Sequence, residues 1–316
     1  MSMLAMFLLG LLLLLLGTDS LLRGAAGLGQ RLGLSPFASG LLLVGVVASI
    51  PDLAVNGLAY AAGVPGLALG NAIGGSIVSL ALVLGVAALI NPLQLGMRVL
   101  AGHALFVLLA AGLVLMFGFD GKLARWEGGL LFSAWFACLA FLFLRGREES
   151  APVQAQVVEF AETSTNPVQN LIRLGFAGAL LYFGSRWTVQ GASALGQSLG
   201  MDNISTGLTL VAVGSALPKL LMAGMAAARG QGNVVVAQVL GACLFNLLFL
   251  VGAMALAGPL ALPSTLLRVE LSVAMGLALL LYFLLGAGLR FGRGQATALL
   301  LAFAAWLGYA LASTLG

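Results

Sequence analysis

The sequence predicts an all-α integral membrane protein of about ten transmembrane helices in two inverted five-helix repeats, a reading carried by composition, recurring apolar runs and an internal match. Apolar residues make up 61% of the 316 residues and charged ones 8%, with a mean hydropathy of +1.11. Soluble domains are about 25% charged, so a water-filled surroundings is excluded. Runs of about 20 apolar residues, the length that crosses a bilayer as helix, recur from end to end, and the alternating pattern of barrel strands is absent.

The predicted spans are 3–22, 36–62, 66–90, 97–118, 127–145, 169–199, 203–229, 233–257, 266–287 and 294–314. The first, MLAMFLLGLLLLLLG, has no basic residue before it and no small-residue cleavage site, so it reads as a retained helix. Threaded alternately, the spans put Arg23, Arg31, Arg98, Arg145, Arg147, Arg173, Arg229, Arg290 and Arg293 on one side and Lys122, Arg125 and Arg268 on the other. By the positive-inside rule the first side is cytoplasmic, which predicts an inner (plasma) membrane protein with both termini outside. The net charge of +4 then reflects topology and lipid, not nucleic acid.

Cys138 and Cys243 fall in spans of different halves, with no metal-ligand spacing. His103, the lone histidine, reads as an interface- or lumen-facing residue with a local partner. Trp126, Trp306 and Tyr309 lie near predicted interfaces and read as membrane-belt anchors, while Phe245, Phe249 and Met222 read as packing.

The long polar stretch RGREESAPVQAQVVEFAETSTNPVQNLIR (145–173) divides the chain. It sets the expected organisation: 1–145 as the first repeat, 146–168 as a cytoplasmic linker and 169–316 as the second repeat. Sliding the sequence by 167 residues matches 26 of the 77 positions from 17 to 93, with Gly24, Gln30, Gly33, Gly40, Pro51, Gly74 and Gly85 each over an identical residue. Five spans per half is an odd number. The second half must therefore enter the membrane from the opposite side, an architecture of secondary transporters.

Helix breakers concentrate in the matched segments. Pro51 and Pro218 correspond across the repeat, and each precedes an ionisable residue, Asp52 or Lys219. Proline removes a backbone donor and obstructs the carbonyl a turn earlier; the freed groups need partners that only protein, bound ions or a wet cavity supply at this depth. Gly57, Gly85 and Gly252 read as small residues that let helices approach closely.

These residues resemble the cation/calcium exchanger superfamily, in particular prokaryotic sodium/calcium exchangers, whose halves each carry a G-T-S-x-P-E motif followed by G-N-x-x-G-S-N-x-x-N. The first pair reads VASIPD (47–52) and GNAIGGSIVS (70–79); the second reads GSALPK (214–219) and AQVLGACLFN (237–246). The LGxSP element at 32–36 precedes the first motif. The resemblance implies a secondary cation antiporter working by alternating access around a midplane site. Asp52 and Lys219 take the places of the two motif glutamates, Ala48 and Ser215 those of the threonines, with Ser49 alongside. Asn71 and Gln238, Ser76 and Cys243, and Ser79 and Asn246 take the three amide positions of the second motif. Asp52 is the candidate metal ligand, sodium, calcium or proton the candidate transported ion, and no cofactor is implied.

Lys219 departs from that pattern. Hard cations need several oxygens and compensating negative charge, and an ammonium about 4 Å from a divalent ion repels it by about 8 kcal/mol at an effective dielectric of 20. Deprotonating an unperturbed lysine at pH 7 costs about 4.6 kcal/mol. Altered ion specificity is therefore the leading expectation. Two alternatives stay open: an anion or organic-solute transporter using Lys219, and a non-transporting membrane scaffold holding an Asp52–Lys219 ion pair. No helix pairs a nucleophile with a base, so an enzyme is not expected, and no phosphate-cradling motif supports direct ATP drive.

Overall fold

The computed structural model describes residues 2–96, 99–146, 148–286 and 291–315. Arg98, Arg147 and Arg290, which contribute to the expected orientation, lie outside the described residues. The first half contains α1 (Met3–Arg31), α2 (Pro36–Ala61), α3 (Pro65–Ile90), α4 (Leu100–Asp120) and α5 (Arg125–Gly146). A short helix, α6 (Ala151–Phe160), precedes the second half, which contains α7 (Pro167–Ser198), α8 (Asn203–Ala228), α9 (Gly232–Ala257), α10 (Leu266–Leu285) and α11 (Arg293–Thr314). Among the described residues nine helices are long and apolar enough to cross a membrane. The tenth long helix, α7, has 32 residues but carries Arg173 and Arg186. Arg173 meets Thr163 and Asn170 near the helix start, and Arg186 lines a cavity at the other end of the molecule.

Two small backbone pairings establish the inversion. Leu93, after α3, exchanges hydrogen bonds with Phe291, just before α11. At the other end of α4, the antiparallel strands β1 (Lys122–Leu123) and β2 (Leu260–Ala261) pair Leu123 with Leu260. Leu93 and Leu260 correspond under the 167-residue offset, since 260 − 93 = 167, yet they sit at opposite ends of a helix about 30 Å long. The second half therefore runs through the molecule in reverse.

The polar segment between the halves is not all irregular. Residues 151–160 coil as α6, with Pro152 in its first turn and Val153 and Val157 buried one turn apart. Val157 sits over Gly40 of α2, where an added Cβ would lie 2.5 Å from its backbone oxygen and Cγ1, and Gln156 accepts from Asn233 at the start of α9. The i, i+4 valine pair is the signal, masked by the surrounding charge.

α3 and α9 are the most buried spans and each crosses a helix of the other half. Gly74 of α3 meets α8 where a Cβ would stand 2.5 Å from the Leu208 oxygen; its counterpart Gly241 of α9 meets α2 at 2.6 Å from the Val44 oxygen. Gly85 and Gly252 also mark tight crossings, against Leu300 and Phe132. Gly57 does not: nothing lies within 4 Å of its would-be Cβ, so the close-packing expectation fails there because that face of α2 points away from its neighbours.

These crossings predict opposite outcomes for two substitutions. Gly241→Val should lower thermal stability sharply and deplete monodisperse protein, since backbone would have to move. Gly57→Ala, in an exposed helix interior, should raise stability by about 0.5–1 kcal/mol. Thermal unfolding in detergent followed by size-exclusion chromatography reads both.

Candidate functional site

Both helices carrying the matched proline break next to it. In α2 the regular turns end at Gly45, a tight turn covers Val47–Ser49, and helix resumes at Ile50 with Pro51 in its first turn. In α8 a wide π-turn spans Gly207–Val211, and helix stops at Ala216 and resumes at Leu217, with Pro218 in its first turn. α3 and α9 carry matched π-turns at Ser79–Val83 and Phe245–Leu250, beginning at the last positions of the second motif. Such turns leave backbone groups out of register and are frequent at functional sites.

At the paired breaks, Lys219 Nζ lies 2.5 Å from Asp52 Oδ2, and both residues are buried, at 3% and 2% exposed. Neither atom has another hydrogen-bonding partner among the described residues. Asp52 stands in the first turn of a half-helix, where the positive end of the peptide dipoles favours an anion. Lys219 stands in the equivalent first turn, where the same dipoles oppose a cation. The carboxylate is thus what holds the ammonium in place.

Around the pair the two repeats differ. Ser215 donates to Asn71 Oδ1 at 3.2 Å, and Asn71 Nδ2 donates to Asn56 Oδ1 at 3.1 Å, a chain that ties α8 through α3 to α2. In the mirror arrangement Ala48 replaces the serine, and both ends of the Gln238 amide are buried without a partner among the described residues. Ser49 Oγ and Asn246 Oδ1 are likewise buried with no hydrogen-bonding partner among the described residues, and Asn246 Nδ2 stands 3.1 Å from where a Cβ on Gly75 would be.

Ser76 and Ser79 donate their hydroxyl protons to the Ala72 and Gly75 carbonyls, which leaves their oxygens as acceptors. Cys243 points its thiol at the Ser76 carbonyl, 3.6 Å away. All the expected site residues are buried on α2, α3, α8 and α9. Asn56 completes the network. It was not among the site residues expected from the sequence, although its position four residues beyond Asp52, on the same helix face, was the signal available for it.

No group of three or more His, Cys, Asp or Glu side chains is positioned to hold a metal ion among the described residues. Elsewhere, His103 packs against the rings of Phe106 and Phe141, while Phe245 and Phe249 stack at 4.5 Å beside Trp135. Trp306 corrects the interface-anchor expectation: it is 4% exposed and its indole donates to Glu270, whereas Trp126 and Tyr309 are exposed.

Two cavities flank the centre at opposite ends. One of about 230 Å³ lies beside Met222, a turn beyond Lys219, with Arg23, Phe160 and Arg229 in its walls. The other, of about 240 Å³, is lined by Leu58, Ala62, Arg186 and Gln190, between α2 and α7. Adding 167 to Leu58 and Ala62 gives Met225 and Arg229, and subtracting it from Gln190 gives Arg23, so the cavities are repeat counterparts. Linker residues 159–163 cover only the first.

Broken helices from two inverted halves, meeting at a buried charged centre between opposed cavities, define the architecture of a secondary transporter. The family model described as sodium/calcium exchanger protein matches residues 2–144 and again 170–312, and the chain belongs to that family. It is 29% identical over 302 residues to the putative antiporter CaxA of Alkalimonas amylolytica, covering 94% of each chain. It is 26% identical to the sodium/calcium exchanger MaX1 of Methanosarcina acetivorans, over 95% of this chain and 96% of that one. The fold superposes on the sodium-calcium exchanger NCX_Mj with a TM-score of 0.70 at 26% identity, covering 97% of this chain and 98% of the other. The protein is thus an integral membrane transporter of an antiporter family, not an enzyme.

Removing one partner of a buried ion pair leaves an uncompensated charge and costs about 3–5 kcal/mol, whereas replacing both by apolar residues is often neutral or stabilising. Lys219→Met should therefore destabilise the protein by about that amount, and Asp52→Leu/Lys219→Met should recover most of the loss. Unfolding by SDS titration in mixed micelles measures both.

Proposed function

We propose that this chain is a secondary cation antiporter in which Lys219 replaces one bound ion and carries the exchanged proton. The observation that supports this most directly is the contact of Lys219 Nζ with Asp52 Oδ2 at 2.5 Å, with no other partner for either atom among the described residues. As an ammonium and a carboxylate the pair is neutral. When a sodium ion takes Asp52, release of one proton from Lys219 keeps the centre neutral, so sodium in is balanced by proton out. A calcium ion at the same place would leave an uncompensated positive charge even beside neutral lysine. Altered specificity follows from that charge balance.

In this reading the unpartnered oxygens of Ser49, Gln238 and Asn246, with Ser76 and Ser79, complete a sodium shell that Asp52 anchors. Asn71, Ser215 and Cys243 hold the surrounding helices in register. Pro51 and Pro218 set the helix breaks on which the ammonium and carboxylate part and meet. The opposed cavities serve as the alternating entrances. By the arginine distribution the entrance beside Met222 and the linker is cytoplasmic and both termini lie outside. The repeats extend over 1–145 and 169–316, with 146–168 between them.

Proteoliposomes carrying the purified protein test the cycle. Wild type should couple ²²Na⁺ entry to proton release and move no ⁴⁵Ca²⁺ above empty vesicles, and Lys219→Glu should gain calcium flux. Because each bound sodium displaces one proton, apparent sodium affinity should rise with pH, by up to about tenfold per pH unit. Wild-type calcium flux equal to that of Lys219→Glu, or no flux of any of these ions, defeats the proposal.

A further inference from the structure

A buried carboxylate outside the central site remains unexplained. Glu270 closes a π-turn, Leu266–Glu270, at the start of α10 and is 6% exposed. Its Oε2 accepts from the Trp306 indole on α11, and it makes no other hydrogen bond or ion pair to a described residue. The carboxylate borders a cavity of about 160 Å³ between α8, α10 and α11, on the face that carries the β1–β2 pairing. That volume leaves room for an ion with several waters.

The polar groups around this cavity are nearly all oxygens with lone pairs to offer. Thr209 donates its hydroxyl proton to the Ser205 carbonyl, Ser313 to that of Ala310, and Thr314 to those of Ala310 and Leu311. Each hydroxyl spends its single proton on its own helix, so its oxygen faces outward only as an acceptor. Asp202 adds a second carboxylate, and no lysine, arginine or histidine lines the space. Tyr309 is the remaining titratable group in the wall. Ser205, Thr265 and Tyr309 add hydroxyls that can also accept, and two carboxylates with no basic side chain among the lining residues suit a hard cation and repel an anion.

The repeat supplies an internal control. α4 and α5 are the counterparts of α10 and α11, and His103 stands near the start of α4 as Glu270 stands near the start of α10. His103 borders a space of only about 10 Å³, walled otherwise by leucines, Trp135, Cys138 and small residues with no carboxylate or hydroxyl among them. Among the described residues the polar chamber therefore belongs to α10 and α11 and not to their counterparts.

We propose that Glu270 centres a second cation site, distinct from Asp52 and Lys219, which holds sodium or calcium through its carboxylate and the surrounding hydroxyl oxygens. The proposal does not depend on the Lys219 exchange cycle. Equilibrium dialysis of the full-length Asp52→Asn/Lys219→Met variant in detergent, with ²²Na⁺ and ⁴⁵Ca²⁺ in separate arms and choline holding ionic strength constant, tests it with the central site disabled. One ion per chain should bind in at least one arm, with a matching saturable change in tryptophan emission that Trp306→Phe removes. Adding Glu270→Gln, which keeps size and hydrogen-bonding capacity, should weaken binding at least tenfold. Thr209→Val should weaken it severalfold and covers the case in which the glutamine variant fails to fold. Absence of stoichiometric binding in both arms, or binding unchanged by Glu270→Gln or, where that variant is not recovered, by Thr209→Val, overturns the proposal.

Discussion

Two opposite charges sit where two helices break, and neither is tolerable in that place without the other. A single charge in the interior of a membrane protein costs about 2.5–3.5 kcal/mol on insertion scales, and the half-helix dipoles add to that cost at Lys219 while relieving it at Asp52. Their contact joins α2 of one half to α8 of the other at the breaks that Pro51 and Pro218 create. The burial of both side chains at the meeting of the two halves depends on it.

The inverted arrangement makes each half a comparison for the other. Ser215 satisfies Asn71, while opposite Ala48 the Gln238 amide has no partner among the described residues. Likewise the space beside His103 is nearly closed and has no carboxylate or hydroxyl in its wall, whereas that beside Glu270 is open and has several. Backbone geometry is shared at Gly74 and Gly241, where a side chain has no room. Geometry is thus held in common by the halves and chemistry is not. A centre built from one acid and one base has an axis of shape without an axis of charge.

Much of this was legible in the chain itself. Apolar runs, breakers and the 167-residue match determined the helices, the inversion and the correspondence of Asp52 with Lys219, because helix length, backbone geometry and repeat register are all written locally. Valine spacing hidden among charges concealed α6, and apparent closeness to an interface misplaced Trp306. Gly57 looked like a packing residue because composition does not say which face of a helix has a neighbour.

What only the tertiary structure decided was which polar atoms meet. The 2.5 Å contact across 167 residues, the Ser215–Asn71–Asn56 chain and the Glu270–Trp306 bond depend on how helices distant in sequence rotate against each other. A periodic pattern reports the face a residue occupies on its own helix. Its partner is set by close packing between helices, where a shift of one side chain exchanges a satisfied group for an orphaned one.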